Sequence, residues 1–126
     1  MSELDYQAVV FAGGGNRCVW QAGFWEVVAP ALPLKPRVVA GVSAGAYIAA
    51  LLLAGRSQLA MDWACREMGN NRHNFYPDRL LRGQRPFPHF EIYGRALTEL
   101  LDQTALETLR QGPELRVLLA RPPAWC

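Results

Sequence analysis

The sequence predicts an α/β fold with a small, mainly parallel sheet flanked by helices. Two short apolar runs, residues 8–12 and 37–40, each lead into a glycine-containing turn, which is typical of strands in a parallel sheet. Between them lies a segment with apolar residues at helical spacing, so a right-handed crossover sets the two strands parallel. At 126 residues and 51% hydrophobic content, the chain has the size and composition of a single domain, residues 1–126.

The first unit runs strand, glycine turn, helix, strand. The apolar run at 8–12 has the pattern of a strand buried on both faces. Gly13, Gly14 and Gly15 follow it and open a helix predicted over residues 16–29. Prolines at positions 30, 33 and 36 then mark a loop before the second strand. Parallel strands bring their C-terminal ends to one edge of the sheet, where ligands bind in open α/β folds.

The second strand leads into the pentapeptide Gly41-Val42-Ser43-Ala44-Gly45. A helix rich in Ala and Leu is predicted over 44–54, so the pentapeptide has the strand-turn-helix setting of a nucleophilic serine. Such a turn exposes the serine Oγ, and its flanking glycines let two backbone segments approach closely. Unpaired N–H groups at the start of the helix then point towards the serine.

The next segments are predicted as a helix and a long loop. Gly55 ends the preceding helix, and Ser57 can cap a second helix over 59–68. Residues 69–90 are rich in Asn, Arg and Pro, which predicts an irregular loop that could cover the site.

Helical spacing resumes over 91–101 and again over 105–110, behind a possible cap at Thr104. A Gly-Pro pair at 112–113 breaks the pattern, and residues 115–120 are predicted as a third strand. The four tryptophans are predicted to lie in the core.

Charge and composition exclude several classes of protein. The net charge of +2 is too small to indicate a nucleic-acid partner. Arginines gather between Arg56 and Arg95, but acidic residues are interleaved with them, so a solvated face is the first interpretation and a surface for an anionic head group the second.

The number and spacing of the cysteines and the length of the apolar runs indicate the cellular compartment. Cys18, Cys65 and Cys126 are odd in number and widely spaced, which fits a reducing environment. The N-terminus carries acids and no apolar signal segment, and the longest apolar run, 44–54, is too short to span a membrane. The expected location is the cytoplasm, with at most peripheral contact with a membrane.

The glycine run and the pentapeptide together indicate acyl transfer. That reaction needs an exposed nucleophile and, at the same place, N–H donors aimed at the oxyanion that forms on attack. Taken alone, each motif has a plainer interpretation: Ser43 as a helix cap, and the glycines as a closely packed helix entry.

Other interpretations of the glycines fail on details. A dinucleotide fingerprint requires a third glycine where Cys18 stands, and a phosphate-binding loop requires Gly-Lys-Ser/Thr, which is absent. An α/β-hydrolase needs several strands before its nucleophile, yet Gly15 precedes Ser43 by only 28 residues (43 − 15).

The order Gly13-Gly14-Gly15-Asn16-Arg17, helix, short strand and Gly-x-Ser-x-Gly resembles the N-terminal half of a patatin-like phospholipase. The motifs cover about residues 6–55, and the resemblance to residue 120 is in outline. It implies a lipid acyl hydrolase with a Ser-Asp dyad, in which Ser43 is the nucleophile between the elbow glycines Gly41 and Gly45. The three loop glycines would form the oxyanion hole, with Arg17 stabilising that loop or the acyl oxygen.

Two positions depart from the family pattern. Cys18 stands where the family often has glycine, and Ala12 stands where it has an acidic or small polar residue.

The family's aspartate lies in an Asp-Gly-Gly or Asp-Gly-Ala motif, and no aspartate in this sequence is followed by glycine. Asp62, Asp78 and Asp102 are expected to be surface carboxylates, and His73 and His89 to be loop histidines rather than a base for Ser43. Either the chain is the front portion of a longer protein, which an unpaired third strand at the sheet edge favours, or it is a shortened homologue.

The sequence thus leads to two hypotheses. The first is a serine acyl hydrolase acting on lipid esters at a membrane surface, with no metal or organic cofactor. The second is a non-catalytic module whose glycine loop and helix N-terminus hold a lipid head group or another anion.

Overall fold

The computed structural model describes residues 7–32 and 34–121; the predictions for Pro33, Trp125 and Cys126 lie outside them. A 3₁₀ turn, Gly15–Cys18, precedes the first helix. The strands and helices in chain order are β1 Ala8–Phe11, α1 Val19–Ala31, β2 Val38–Val42, α2 Ala44–Leu53, α3 Ser57–Asn70, α4 Pro77–Leu81, α5 His89–Leu100, α6 Gln103–Gln111 and β3 Glu114–Leu118.

The three strands form one parallel sheet in the order β1-β2-β3. Phe11 pairs with Gly41, and Gly41 pairs with Val117, so β2 is the central strand. The helices pack around this sheet, which confirms the predicted α/β class with a small parallel sheet.

Helix α2 is the centre of the core. Its Ala49 is fully buried against the sheet beside Val39 of β2. Its Leu51 packs instead with Trp63 of α3 and with α5 in a second cluster. A helix that is apolar on nearly every side needs such burial on both sides, and α2 has it between the sheet and helices α3 and α5.

Residues 69–90 are more ordered than the predicted irregular loop. Helix α3 continues to Asn70, α4 forms at Pro77–Leu81, and α5 already begins at His89. The prediction was wrong over α4 because Pro77 occupies the first turn of that helix, where a missing N–H costs nothing, instead of ending one.

Both predicted helix caps were wrong. Helix α3 begins at Ser57 itself, without a side-chain cap. Helix α6 begins two residues before the predicted start, because Asp102 rather than Thr104 is its cap: the Asp102 carboxylate accepts a hydrogen bond from the Ala105 N–H at 2.8 Å. Pro30, predicted to lie in a loop, sits instead in the last turn of α1 with its ring exposed.

The sheet and α1 leave apolar side chains exposed where the sequence predicted burial. Val10 of β1 is 71% exposed and Trp20 of α1 is 65% exposed, whereas Trp63 is only 4% exposed. Burial alternates along β1: Val9 and Phe11 pack towards α2, whereas Val10 lies on the opposite, exposed face, so the apolar composition of β1 did not indicate burial on both faces.

Candidate active site

Ser43 lies at the turn between the central strand β2 and helix α2. Its backbone has φ 54° and ψ −130°, and it is the one described residue other than glycine with positive φ. A non-glycine residue in such a region carries about 1–3 kcal/mol of strain. Ser43 is exposed and its side chain does not cap α2; its carbonyl instead accepts the N–H groups of Ala46 and Tyr47. The turn therefore presents the hydroxyl to solvent.

The two glycines of the pentapeptide are sterically required. A Cβ on Gly41 would lie 2.5 Å from the Ala46 Cα, and one on Gly45 would lie 2.4 Å from the carbonyl oxygens of Phe11 and Ala12. These neighbours are backbone atoms that cannot move aside cheaply. The absent side chains let α2 start directly against β1 and β2.

The glycine loop meets the serine turn at the same edge of the sheet. A Cβ on Gly13 would lie 3.3 Å from the Ser43 Cβ and 3.2 Å from the Val42 carbonyl oxygen. Gly14 has φ 156° and Gly15 has φ 60°, conformations that favour glycine. Within the described part of the chain, the N–H groups of Gly13 and Gly14 donate to no other residue, so they remain available as donors.

Arg17 lies in the 3₁₀ turn that follows the loop. It is exposed, and its Nε donates a long hydrogen bond of 3.5 Å to the Gly14 carbonyl oxygen. The neighbouring Asn16 Oδ1 accepts a hydrogen bond of 3.4 Å from the Tyr93 hydroxyl of α5. Arg17 thus contacts the loop, and Asn16 connects it to α5.

Gln21 was not singled out by the sequence, yet it anchors the start of the loop. This buried side chain accepts from the Ala12 N–H and donates to the Ala12 carbonyl oxygen, both at 2.9 Å. The buried Cys18 thiol also donates to that carbonyl, at 3.2 Å. The sequence offered no signal for it, because the apolar face predicted for this helix includes Trp20 and Phe24, which are exposed, while Gln21 is buried on another side.

Two of the three described aspartates, and both histidines, lie in other contacts. Asp102 pairs with Arg56, which follows the C-terminal end of α2, whereas Ser43 precedes its N-terminal end. Asp62 accepts from Gln58 at 3.0 Å, and the rings of His73 and His89 pack on tyrosines. Across residues 7–32 and 34–121, Ser43 Oγ has no carboxylate or imidazole partner.

A narrow apolar cleft extends from the site between α1, α2, α3 and α5. It begins at Gly15 and Ala44, next to the two turns, and reaches Met61 and Met68 of α3. Its free volume of about 30 Å³ is room for one or two water molecules, so a larger guest needs the methionine side chains to move.

Tyr47 and Tyr93 line this cleft with their rings 5.0 Å apart, edge to face. Burial raises the pKa of Tyr47 to about 12, with a further contribution from Tyr93, and burial also raises the pKa of Tyr93. Both hydroxyls stay neutral at physiological pH, which keeps the cleft free of charge.

The described residues also bear on metal binding and on membrane crossing. They contain no group of three His, Cys, Asp or Glu side chains placed to hold a metal ion. No helix among them combines the length and apolar character needed to cross a bilayer.

Fold and site together define an α/β domain with an exposed serine on a strand-to-helix turn and a glycine loop beside it. The model of the patatin-like phospholipase family matches residues 9–124, so the chain belongs to that family. Searches of curated proteins and of solved structures found no match.

Proposed function

We propose that this chain carries the nucleophile and oxyanion hole of a lipid acyl hydrolase, with Ser43 as the nucleophile. The observation that carries the proposal is the strained, exposed Ser43 turn with the Gly13 backbone in contact with it. A serine that only shapes a turn gains nothing from positive φ, because glycine would fit there without strain.

In the proposed reaction, the Ser43 Oγ attacks the carbonyl carbon of a lipid ester and its proton passes to a base. The free N–H groups of Gly13 and Gly14 stabilise the negative charge on the carbonyl oxygen, and Gly15 and Arg17 hold the loop in place. The ester bond then breaks, the alcohol leaves with a proton, and an acyl-serine remains. Water hydrolyses that ester and restores the hydroxyl.

This mechanism needs a base, and residues 1–126 contain no sequence motif that identifies one. The family resemblance assigns it to an aspartate followed by glycine, and this sequence has no such pair. Catalytic sites without their acid-base groups retain only about 10³–10⁴ over the uncatalysed rate, from the oxyanion hole and binding.

The apolar cleft supports a lipid rather than a polar acyl group. It adjoins the Ser43 turn at Ala44, and its neutral tyrosines and flexible methionines suit an aliphatic chain. Entry of that chain requires the cleft to widen at α3, where Met61 and Met68 lie.

A fluorophosphonate probe tests the nucleophile directly, because it bonds covalently to activated serines. We expect slow labelling of the chain and of a Thr108→Ala variant, because the oxyanion hole acts without a base among the described residues, and a Ser43→Ala variant to be at least about a hundredfold slower. Thr108 is the matched control because its hydroxyl is exposed on α6, away from the turn and from the cleft. Equal labelling of the Ser43→Ala variant and the unaltered chain would overturn the assignment.

One observation favours a second function, a non-catalytic lipid- or anion-binding module. Ser43 Oγ lacks a carboxylate or imidazole partner among the described residues, while the unpaired loop N–H groups suit an anion. If the probe labels no variant but a long-chain fatty acid protects the chain from thermal unfolding, binding without catalysis is the better description.

A further inference from the structure

Residues 71–90 form a lobe that stands between α3 and α5, called here the 71–90 lobe. Its two sides are tied together by a hydrogen bond from the Tyr76 N–H to the Pro86 carbonyl oxygen, at 2.9 Å. The rings of Phe75 and Phe87 pack 5.3 Å apart across the same opening. Helix α4 lies within the loop that these two contacts close, so the lobe has a defined structure.

The lobe exposes large apolar side chains. Leu81, at the end of α4, is 92% exposed, and Leu80 beside it is 55% exposed. Burying even one such leucine from water is worth about 1.5–3 kcal/mol, so leaving several exposed is costly unless a partner covers them. The other exposed apolar side chains of the lobe are Phe75, Phe87 and Phe90.

The lobe also holds the positive charge of the protein. It contains four arginines and one aspartate, a net charge of +3, whereas the whole chain carries +2, so the rest carries −1. Arg79 is paired with Glu91 at 3.0 Å, but Arg72 and Arg82 are exposed and have no ion pair within the described residues. The Arg85 guanidinium lies 4.3 Å from the Phe90 ring centroid, so a cation and an apolar ring share one surface.

We infer that the 71–90 lobe docks the protein on an anionic lipid bilayer. Exposed leucines and phenylalanines insert among the head groups, and arginines beside them attract the negative surface. Either feature alone is common on soluble proteins; the two together, on a lobe tied into the fold, match the chemistry of that surface. The charge excess of the lobe selects a bilayer with negative head groups over a neutral one.

The base of the lobe is next to the candidate site. His89 stacks on Tyr93, and Tyr93 both lines the apolar cleft and binds Asn16 beside the glycine loop. Docking would therefore bring the cleft close to the lipids. This part of the inference rests on the proposed function, since only an enzyme or binder of lipids gains from the placement.

Vesicle binding tests the docking without requiring catalysis. The Ser43→Ala chain is sedimented with vesicles of phosphatidylcholine alone or mixed equally with phosphatidylglycerol. We expect binding to the mixed vesicles, weakened by added salt, and little to the neutral ones. Replacing Arg82 and Arg85 together by Gln should weaken binding about thirtyfold, and Leu81→Asp at least about tenfold.

Matched controls place the same changes elsewhere. Leu119→Asp alters a leucine that is 88% exposed, and replacing Arg110 and Arg121 together by Gln removes two exposed arginines outside the lobe; both should bind as the parent does. Absence of binding to the mixed vesicles, or equal losses in these controls, would overturn the inference. A self-associating chain that Leu81→Asp converts to monomer without lipid would also overturn it, because the lobe would then bind a second copy.

The two proposals fail separately. Vesicle binding that persists in the absence of any fluorophosphonate labelling retains the docking surface and removes the catalytic role. Labelling that depends on Ser43, in a chain that binds no vesicles, retains the nucleophile and removes the docking surface.

Discussion

The backbone conformation of Ser43 lowers the stability of the fold, while the proposed function requires a serine at this position. Its φ of 54° is a conformation that a side chain disfavours, and the cost of roughly 1–3 kcal/mol is borne by the whole fold. If the serine is kept for chemistry, the turn should be more stable with a residue that cannot perform it.

We therefore expect Ser43→Gly to raise the free energy of unfolding by about 1 kcal/mol, because relief of strain exceeds the greater freedom of glycine in the unfolded chain. Ser43→Ala keeps the Cβ and is the control, with little change expected. Urea unfolding measures both variants. A glycine variant no more stable than the alanine variant would contradict the assigned strain.

At the scale of residues, the local sequence predicts much of the geometry of the serine turn. It does not predict the side chains that hold the neighbouring glycine loop in place. Gly41 and Gly45 were identified because a strand-to-helix turn crowds backbone atoms, and the structure has them against backbone. The role of Gln21 could not be predicted, because its partner is the main chain of Ala12, nine residues earlier and outside the helix. The helical pattern also indicated the wrong face of α1, since Trp20 is exposed and Gln21 is buried.

At the scale of elements, the order of strands and helices was predictable and their ends were less so. Hydrophobic spacing located the three strands and the long helices, since each must bury a face. A helix cap is whichever side chain reaches the free N–H groups of the first turn. The sequence predicted Thr104, but Asp102 makes this contact. The Asp102 carboxylate also meets Arg56, a contact across 46 residues that no local pattern contains.

The stabilisation of helix α6 by its cap Asp102 depends on pH. The Ala105 N–H, and then Arg56, hold the pKa of its carboxyl below the ordinary value. The ionised form is thus favoured in the folded chain, so its stabilisation is present above about pH 4, the unfolded pKa, and is lost as the pH falls through the lower folded pKa.

We expect Asp102→Ala to lower the midpoint of urea unfolding at neutral pH without changing the slope, and the gap from the parent chain to narrow below about pH 4. Asp62→Ala is the control, because among the described residues that exposed carboxylate accepts a hydrogen bond from Gln58 alone. A gap that stays constant down to acid pH would show that the carboxylate charge does not contribute.

For the whole molecule, the parallel sheet was predictable and the exposure of its edges was not. Continuous apolar runs indicated strands buried on both faces, yet in the described sheet β1 and β3 are edge strands and α2 covers the face that carries Val39. Val10 of β1 and Leu118 of β3 lie on the opposite face and are 71% and 55% exposed. The burial of a strand depends on which other elements cover it, and the residues of the strand alone do not predict this.

Such edges offer unpaired backbone groups and apolar side chains to another chain, which favours association edge to edge. We expect Val10→Lys to reduce self-association as concentration rises, because a lysine on an edge strand disfavours pairing with another strand. Leu59→Lys adds the same charge at a 51% exposed leucine of α3, away from the sheet edges, and should change association much less. Sedimentation velocity over a concentration series measures both, and equal effects would assign the association to net charge rather than to the strand edge.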